Sequence, residues 1–353
     1  MIKIDGSHGE GGGQIVRTGL TIAAIVGSDL QIENIRAGRK KSGLQPQHLT
    51  AARAVTEVTE GRLEGAELGA QSLIFHPGKI SAGEYHFDVA EVRSSAGSTG
   101  MIFQTLAPIL AFAEDTSTII LKGGTHTNWS PPINYIRDVF LPEVRKMGFS
   151  AGITTLTWGW YPKGGGVVKA DVEPLEYLTG IELLHRGKLT SIKGVSAVSN
   201  LPLSIATRQR DQVYKRLTVE NLRCDIEILD VPSSGAGTFV MLITEYENTR
   251  AGFSALGERG KPSEVVADEA VEALLYHNHT EGAIDPHLAD QLVLYMALAK
   301  GRSSFTTSRL SRHLLTNIWV LRQFLPLKFE VVGKPGGEGK ISVKGVGHQR
   351  RQI

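Results

Sequence analysis

The sequence lacks the features that would place it in several large classes of protein. It has one cysteine in 353 residues, Cys224, which excludes a disulfide framework and a cysteine-rich zinc site. Its 38 basic residues nearly balance its 36 acidic ones, so any surface for a polyanion must be local. The longest apolar stretch, MIFQTLAPILAFA, is too short and too polar to cross a bilayer, and the first residues lack an apolar signal-peptide core. We therefore expect a globular protein of the cytoplasm with no membrane partner.

Apolar periodicity and glycine-bounded strands predict an α/β (α+β) fold built from a repeat. Helices are predicted from apolar spacings of three and four, as in Ile136, Phe140 and Val144, and strands from short β-branched runs that end at glycine. Three segments follow one plan, which predicts three units of two helices on a four-stranded sheet, with the helices packed inward. In the first unit, the strands AQSLIFHPG and EYHFDVAE are predicted to pair with each other.

The third unit is interrupted by an insertion. Residues 185–280 contain a predicted helix, strand, strand and helix: LPLSIATRQRDQVYKRL, CDIEILDV, TFVMLITEYE and SEVVADEAVEALLYHNH. This order predicts a small α/β domain of its own. Residues 1–184 and 281–353 then form a repeat-built catalytic body.

Residues 9–14, GEGGGQ, join a predicted strand to a predicted helix. Glycines with positive φ let backbone N–H groups converge, and the helix N-terminus adds positive potential, which together make an anion cradle. Glu10 would repel a phosphate there unless it holds a divalent cation that the phosphate shares. The alternative is a tight turn in which Glu10 only favours the helix N-terminus, and the local sequence leaves both interpretations open.

A basic stretch, Arg36 to Lys41, precedes a predicted helix that begins at Pro46. Cations are disfavoured at a helix N-terminus, so a plain solvated loop is a poor explanation and an external polyanion a better one. Arg17, one turn after the cradle, can face the same space.

His313 lies in the first turn of the helix in SRHLLTNIWVL. A histidine at this position is commonly a cap or a packed surface residue. However, a helix N-terminus also lowers the pKa of an imidazole and keeps it neutral and nucleophilic. Asp290 and Gln291 in HLADQ can hydrogen-bond a ribose or a base. Walker A, HExxH and GxSxG motifs do not occur.

Several long motifs, in one order, resemble the RNA 3'-terminal phosphate cyclases. They are DGSHGEGGGQIVRT, RAGRKKSGLQPQHLTA, GAELGAQSLIFHPG, YPKGGGVV, HLADQL and SRHLLTNI. The resemblance runs nearly end to end and includes a repeat-built body with a small inserted domain, a body similar to that of the enolpyruvyl transferases. It implies an enzyme that uses ATP and RNA 3'-phosphate ends, with Mg²⁺ or Mn²⁺, and forms a histidine–AMP intermediate.

The resemblance also implies a role for each matching residue. His313 matches the nucleophile, Glu10 the metal-binding carboxylate, and Pro131 the region that contacts the base. Some members have a tyrosine where His287 stands here, although a histidine can also stack on a base. The groups around the AMP phosphate are Arg17, Arg36, Arg39 and Gln47, and the nucleotide site is Gln104 with His287, Leu288, Ala289, Asp290 and Gln291.

Two other functions fit the same architecture. A non-catalytic cyclase-like protein would bind RNA during ribosome assembly without a nucleophilic histidine, and an enolpyruvyl-type transferase would need neither that histidine nor ATP. His313 and the complete GEGGGQ turn favour the cyclase. A homodimer is the expected assembly.

Overall fold

The computed structural model describes residues 1–91 and 95–350. Its first sheet has the order β1-β2-β4-β3, with β1 and β2 parallel and the other two pairs antiparallel. The elements of this unit are β1 (Ile2–Asp5), α1 (Gly13–Val26), β2 (Leu30–Glu33), α2 (Pro46–Val58), β3 (Arg62–Glu64) and β4 (Leu73–His76).

The second sheet has the same pattern, in the order β5-β6-β8-β7, with only β5 and β6 parallel. Its helices are α3 and a helical segment in three parts, α4, a π-turn and α5. The elements are β5 (Glu84–Asp88), α3 (Thr99–Leu110), β6 (Ser117–Gly123), α4 (Ile133–Tyr135), the π-turn (Ile136–Phe140), α5 (Leu141–Arg145), β7 (Ala151–Thr157) and β8 (Gly166–Val172).

Pro142 explains the π-turn. Proline has no N–H to donate to the carbonyl four residues earlier, and its ring would clash with that carbonyl in a regular helix. The carbonyl concerned belongs to Asp138, and Arg250 Nη1 donates to it at 3.4 Å.

The insertion in the third unit forms a sheet with the order β11-β10-β12-β13, with α6 and α7 packed against each other. It buries an apolar cluster of its own, which includes Val213, Val240 and Val271. The elements are β9 (Glu182–Leu183), which precedes the insertion, then β10 (Leu189–Ser199), α6 (Ser204–Val219), β11 (Asp225–Asp230), β12 (Gly237–Tyr246), β13 (Arg250–Leu256) and α7 (Ser263–Asn278). The domain boundaries at residues 185 and 280 stay predictions.

After the insertion, the chain completes the sheet that β9 began. The order is β15-β16-β14-β9, and β14 is parallel to β9 and antiparallel to β16. This is the pairing pattern of the first two sheets. The remaining elements are α8 (Pro286–Leu298), β14 (Arg302–Thr307), α9 (Arg312–Phe324), β15 (Glu330–Gly333) and β16 (Gly339–Lys344).

The predicted α+β class is confirmed, but two predictions about strands are wrong. The segments AQSLIFHPG and EYHFDVAE do not pair, because β4 pairs with β2 and β3 whereas β5 begins the second sheet beside β6. The insertion has four strands instead of two, since β10 and β13 were not predicted. Within residues 1–91 and 95–350, no helix is both long and apolar enough to span a membrane.

Helix α1 lies at the centre of the body, where it packs on α2, α3 and α9. Apart from Gln14 and Arg17, its residues from Gly13 to Ile25 are buried. A helix that is apolar nearly all round belongs in a core. Gln14 and Arg17, both in the first turns of α1, therefore mark the end of the helix that reaches an opening in the core.

Arg186 ties the end of α7 to the segment that returns to the body. Its two terminal nitrogens donate to four backbone carbonyls, those of His277 (2.9 Å), Asn278 (2.9 Å), Thr280 (2.6 Å) and Gly282 (3.1 Å). These carbonyls lie at or after the C-terminus of a helix, where a cation is favourable.

Replacing Arg186 with alanine should destabilise the protein by about 2 to 4 kcal/mol, because four carbonyls lose a charged donor. Urea unfolding followed by circular dichroism measures the loss. Arg186→Lys should recover little of the lost free energy of unfolding, since a lysine ammonium lacks the planar, forked set of donors of a guanidinium. Arg208, whose side chain is 56% exposed and 3.8 Å from Glu264, is the matched control. Equal unfolding midpoints for Arg186→Ala and Arg208→Ala would contradict this role.

Candidate active site

The GEGGGQ turn packs closely against its neighbours, and this explains two of its glycines. Gly9 has φ +58°, and a Cβ there would lie 2.7 Å from Thr316 Oγ1 of α9. Gly13 has no room for a Cβ because His48 Nε2 of α2 occupies that space. The turn is therefore fixed between α2 and α9, which brings Glu10 to the first turn of α9.

Helix α9 begins at a conventional cap. Ser311 is its N-cap, and its side chain accepts a hydrogen bond from Leu314 N at 3.0 Å. Leu314 and Ile318 are buried in the core, whereas the side chain of His313 is 49% exposed.

Glu10 connects His313 to Arg39. His313 Nδ1 lies 2.8 Å from Glu10 Oε2, and Arg39 Nη2 donates to Glu10 Oε1 at 2.8 Å. Because Nδ1 faces the carboxylate, the lone pair of a neutral imidazole is placed on Nε2. Burial lowers the pKa of His313, and Arg17 and His287 lower it further, whereas Glu10 raises it. The net shift downward favours a neutral, nucleophilic ring at neutral pH.

Arg17 is held by a polar network that crosses three helices. Arg17 Nη2 donates to Gln14 Oε1 at 2.8 Å, Gln14 Nε2 donates to Asn317 Oδ1 at 2.8 Å, and Asn317 Nδ2 donates to the Asp290 carbonyl at 2.8 Å. Burial lowers the pKa of Arg17 to about 10, and nearby Asp290 partly offsets this. The guanidinium forms no ion pair in the part of the chain that the structure describes. A partly buried cation without a counterion is unfavourable, so this position suits an anionic ligand.

Arg36 lies close enough to Arg17 and Arg39 for the charges to repel one another. Burial and Arg39 lower its pKa, and Arg36 in turn lowers the pKa of Arg17. Arg36 Nη2 donates to the Lys41 carbonyl at 3.0 Å, but its buried Nε has no hydrogen-bond partner among the described residues. Three arginines around one carboxylate leave an excess of positive charge, as expected of a phosphate site.

Both polar atoms of the Gln47 side chain already have hydrogen-bond partners within the protein. Its Oε1 accepts from Ser98 N at 3.0 Å, and its Nε2 donates to Met101 Sδ at 2.8 Å. It thereby joins the first turn of α2 to the N-terminus of α3.

A cavity of about 710 Å³ opens beside His313, between the body and the inserted domain. Its lining includes seven of the residues singled out in the sequence, namely Arg17, Gln104, Pro131, His287, Asp290, Gln291 and His313. Leu288 and Ala289 lie on the face of α8 that is buried in the core. Glu10, Arg36, Arg39 and Gln47 lie outside the lining.

Several buried polar atoms around this cavity lack partners. Gln104 Nε2, Gln291 Oε1 and the Tyr295 hydroxyl have no hydrogen-bond partner among residues 1–91 and 95–350. All three residues line the cavity. An unsatisfied buried polar group costs about 1 to 3 kcal/mol, so this cluster suits a polar ligand that supplies the missing hydrogen bonds.

Asp285 is the N-cap of α8. Its carboxylate accepts from His287 N (2.8 Å) and Leu288 N (3.0 Å), and also from the Tyr135 hydroxyl (2.9 Å). Burial and Asp285 together raise the pKa of Asp290 well above its usual value. The carboxyl group of Asp290 extends the polar lining of the cavity.

Sequence reasoning missed Tyr135, Asp285, Tyr295 and Asn317. Only Asp285 carries a local signal, because an Asp–Pro pair before an apolar periodic run is typical of a helix N-cap followed by proline at N1. The other three act across units that are distant in the sequence.

Glu10 offers a single carboxylate to a cation. Among residues 1–91 and 95–350, no group of three His, Cys, Asp or Glu side chains could hold a metal ion. Glu10 Oε2 is nevertheless buried and accepts no well-aligned hydrogen bond, although His313 Nδ1 lies near it. One carboxylate together with substrate phosphates is a common way to bind Mg²⁺, so the residues fit a cation that arrives with a phosphate.

Fold and site together define an α+β protein with a half-exposed histidine and an arginine that forms no ion pair, both beside a polar cavity. The family described as RNA 3'-terminal phosphate cyclase matches residues 8–331. A relative from Methylococcus capsulatus, named RNA 3'-terminal phosphate cyclase, is 43% identical over 98% of this chain and 97% of its own. A relative of that name from Pyrobaculum aerophilum is 41% identical over 99% of both chains. The chain belongs to the RNA 3'-terminal phosphate cyclase family.

Among solved structures, the enolpyruvyl transferase NikO from Streptomyces tendae is similar to part of the chain. The similarity covers 49% of this chain and 33% of that one, at 19% identity and a TM-score of 0.27. A value this low establishes no common fold.

Proposed function

We propose that this protein is an RNA 3'-terminal phosphate cyclase that depends on ATP. His313 Nε2 attacks the α-phosphorus of ATP, a P–N bond forms, and the P–O bond to pyrophosphate breaks. An oxygen of the RNA 3'-phosphate then attacks the same phosphorus, the P–N bond breaks, and AMP passes to the RNA while the histidine is released. The neighbouring 2'-hydroxyl attacks the 3'-phosphorus and gives up its proton to solvent, the P–O bond to AMP breaks, and a 2',3'-cyclic phosphate forms.

The observation that carries this proposal is the Glu10–His313 contact beside an unpaired Arg17. The 2.8 Å contact at Nδ1 leaves Nε2 as the reactive nitrogen, and Arg17 offers a positive charge where a phosphate would arrive. A fixed charge that is not already neutralised by the protein can stabilise the negative charge that develops during phosphoryl transfer.

The residues around the cavity divide into two groups in this proposal. Arg17, Arg36, Arg39 and Gln47 surround the AMP phosphate. Gln104, Pro131, His287, Asp290 and Gln291 hold the nucleoside. Leu288 and Ala289 take part only indirectly: their side chains are buried in the core and hold α8 in place beside the cavity.

We assign Mg²⁺ or Mn²⁺ to Glu10. When bound, the ion would share phosphate oxygens with the carboxylate and neutralise part of their charge. Glu10 Oε1 would keep its contact with Arg39, and Oε2, which lies 2.8 Å from His313 Nδ1, would offer its second lone pair to the ion. The proposed substrates, ATP and RNA, are consistent with a cytoplasmic location, and a homodimer stays a prediction.

Incubation with ATP labelled at the α-phosphate, followed by denaturing separation, tests the proposal. The cyclase should retain AMP covalently and convert a 3'-phosphate RNA to a cyclic end. A non-catalytic cyclase-like protein would retain none, and an enolpyruvyl-type transferase would ignore ATP. Absence of both AMP labelling and a cyclic product, with Mg²⁺ and Mn²⁺ each supplied, would refute the function.

Arg17→Ala should reduce the rate of AMP labelling at subsaturating ATP by about 10- to 150-fold, because one charge-assisted hydrogen bond to phosphate contributes about 1.5 to 3 kcal/mol. A titration of ATP in the labelling assay measures the change. The control is Arg322→Ala, an arginine in the last turn of α9, far along the helix from His313. An equal rate in the two variants would place Arg17 outside the phosphate site.

A further inference from the structure

Trp129 is unusually exposed for a residue of its type. Its relative exposure is 96%, whereas Trp158 and Trp160 are 8% and 3% exposed. It also lines the cavity beside His313, in the loop that leads to Pro131. An indole is among the largest apolar surfaces a side chain can offer, and aromatic side chains at such openings commonly serve as contact surfaces for ligands.

The loop around Trp129 is held in one conformation. Trp129 has φ +65°, a strained value for a bulky residue. Thr127 Oγ1 and Ser130 Oγ lie 2.9 Å apart, and Ser130 Oγ donates to the Thr127 carbonyl at 2.9 Å. Asn128 Nδ2 donates to Glu258 Oε1 of the inserted domain at 3.1 Å. These contacts hold the residues on both sides of Trp129, and so place its backbone at the cavity before any ligand binds.

We infer that Trp129 is a stacking platform for the nucleobase of the RNA 3'-terminal nucleotide, an inference that rests on the proposed function. The unpartnered polar atoms of Gln104 and Gln291 are buried, which suits the nucleoside of ATP. The indole instead meets solvent at the opening of the same cavity, the side from which an RNA 3' end would approach His313. Stacking tolerates every base, as an enzyme that accepts RNA ends of varied sequence requires.

The test is direct binding, without ATP, of a short 3'-phosphate RNA whose terminal nucleotide is either intact or abasic. Trp129→Ala should weaken binding of the intact RNA about 5- to 150-fold and leave binding of the abasic RNA unchanged. Trp129→Tyr should retain most of the affinity. The matched control is Tyr161→Ala, which should change the binding of neither RNA. Tyr161 is 72% exposed and is not among the described residues that line the cavity.

Labelling with ATP in parallel keeps the two proposals distinct. If the wild-type protein binds both RNAs but retains no AMP, the proposed function fails. The stacking role of Trp129 is then still decided by the binding of the intact and abasic RNAs. Equal loss of affinity for intact and abasic RNA in Trp129→Ala would overturn the platform. Unchanged RNA binding with impaired AMP labelling would assign the indole to the adenine of ATP, and would also overturn it.

Discussion

His313→Ala should abolish AMP labelling and lower the rate of cyclisation by about 10⁴-fold or more, since loss of a covalent nucleophile removes the whole pathway. The side chain of His313 is 49% exposed and contacts Glu10 at the surface of the body, so its removal should leave the fold intact. His313→Asn keeps a polar side chain of similar reach but has no nucleophilic lone pair on nitrogen, and it should be equally inactive.

Mass spectrometry after trapping with ATP and a divalent metal should locate AMP on His313 alone. The phosphoramidate bond is expected to break in acid and to survive mild base. His279→Ala, at an exposed histidine after α7, is the control and should label normally. AMP on a lysine, or full cyclase activity in His313→Ala, would contradict the mechanism.

The sequence predicted the fold class because several helices have an apolar period and strands such as β1 and β6 end at or directly before a glycine. It failed where a strand has no such signal. β3 is three residues long with two of them exposed, and β10 mixes Ser, Lys and Gly into a run that is only partly apolar. The pairing of β4 with β5 was predicted because neighbouring strands usually pair. Here the connection carries the chain into the next sheet instead.

The candidate site was predictable in its residues but not in their contacts. Glu10, Arg39 and His313 each carry a local signal, namely a glycine-rich turn, a basic stretch before a helix, and a histidine in a first helical turn. That Glu10 meets His313 depends on Gly9 packing against Thr316, a contact between the first and third units. Local periodicity does not encode such long-range contacts, which arise from the packing of α1 against α9.

Glu10→Ala should slow AMP labelling by about 10²- to 10⁴-fold, because two effects of one carboxylate are lost together. His313 Nδ1 loses the partner that keeps the lone pair on Nε2, and Arg39 loses its counterion. The dependence of the rate on divalent-ion concentration should weaken as well, since Glu10 Oε2 is the proposed ligand.

Glu10→Gln separates the two effects. An amide oxygen can still accept from Nδ1–H, so nitrogen NMR of the histidines should show the same His313 tautomer as the wild-type protein, whereas Glu10→Ala should show a mixture. Calorimetric titration with Mn²⁺ and a nucleotide should show weaker metal binding in both variants. Glu33→Ala, at an exposed carboxylate that ends β2, is the control for the loss of one negative charge. Labelling within twofold of wild type in Glu10→Ala would leave Glu10 with no role beyond the turn that begins α1.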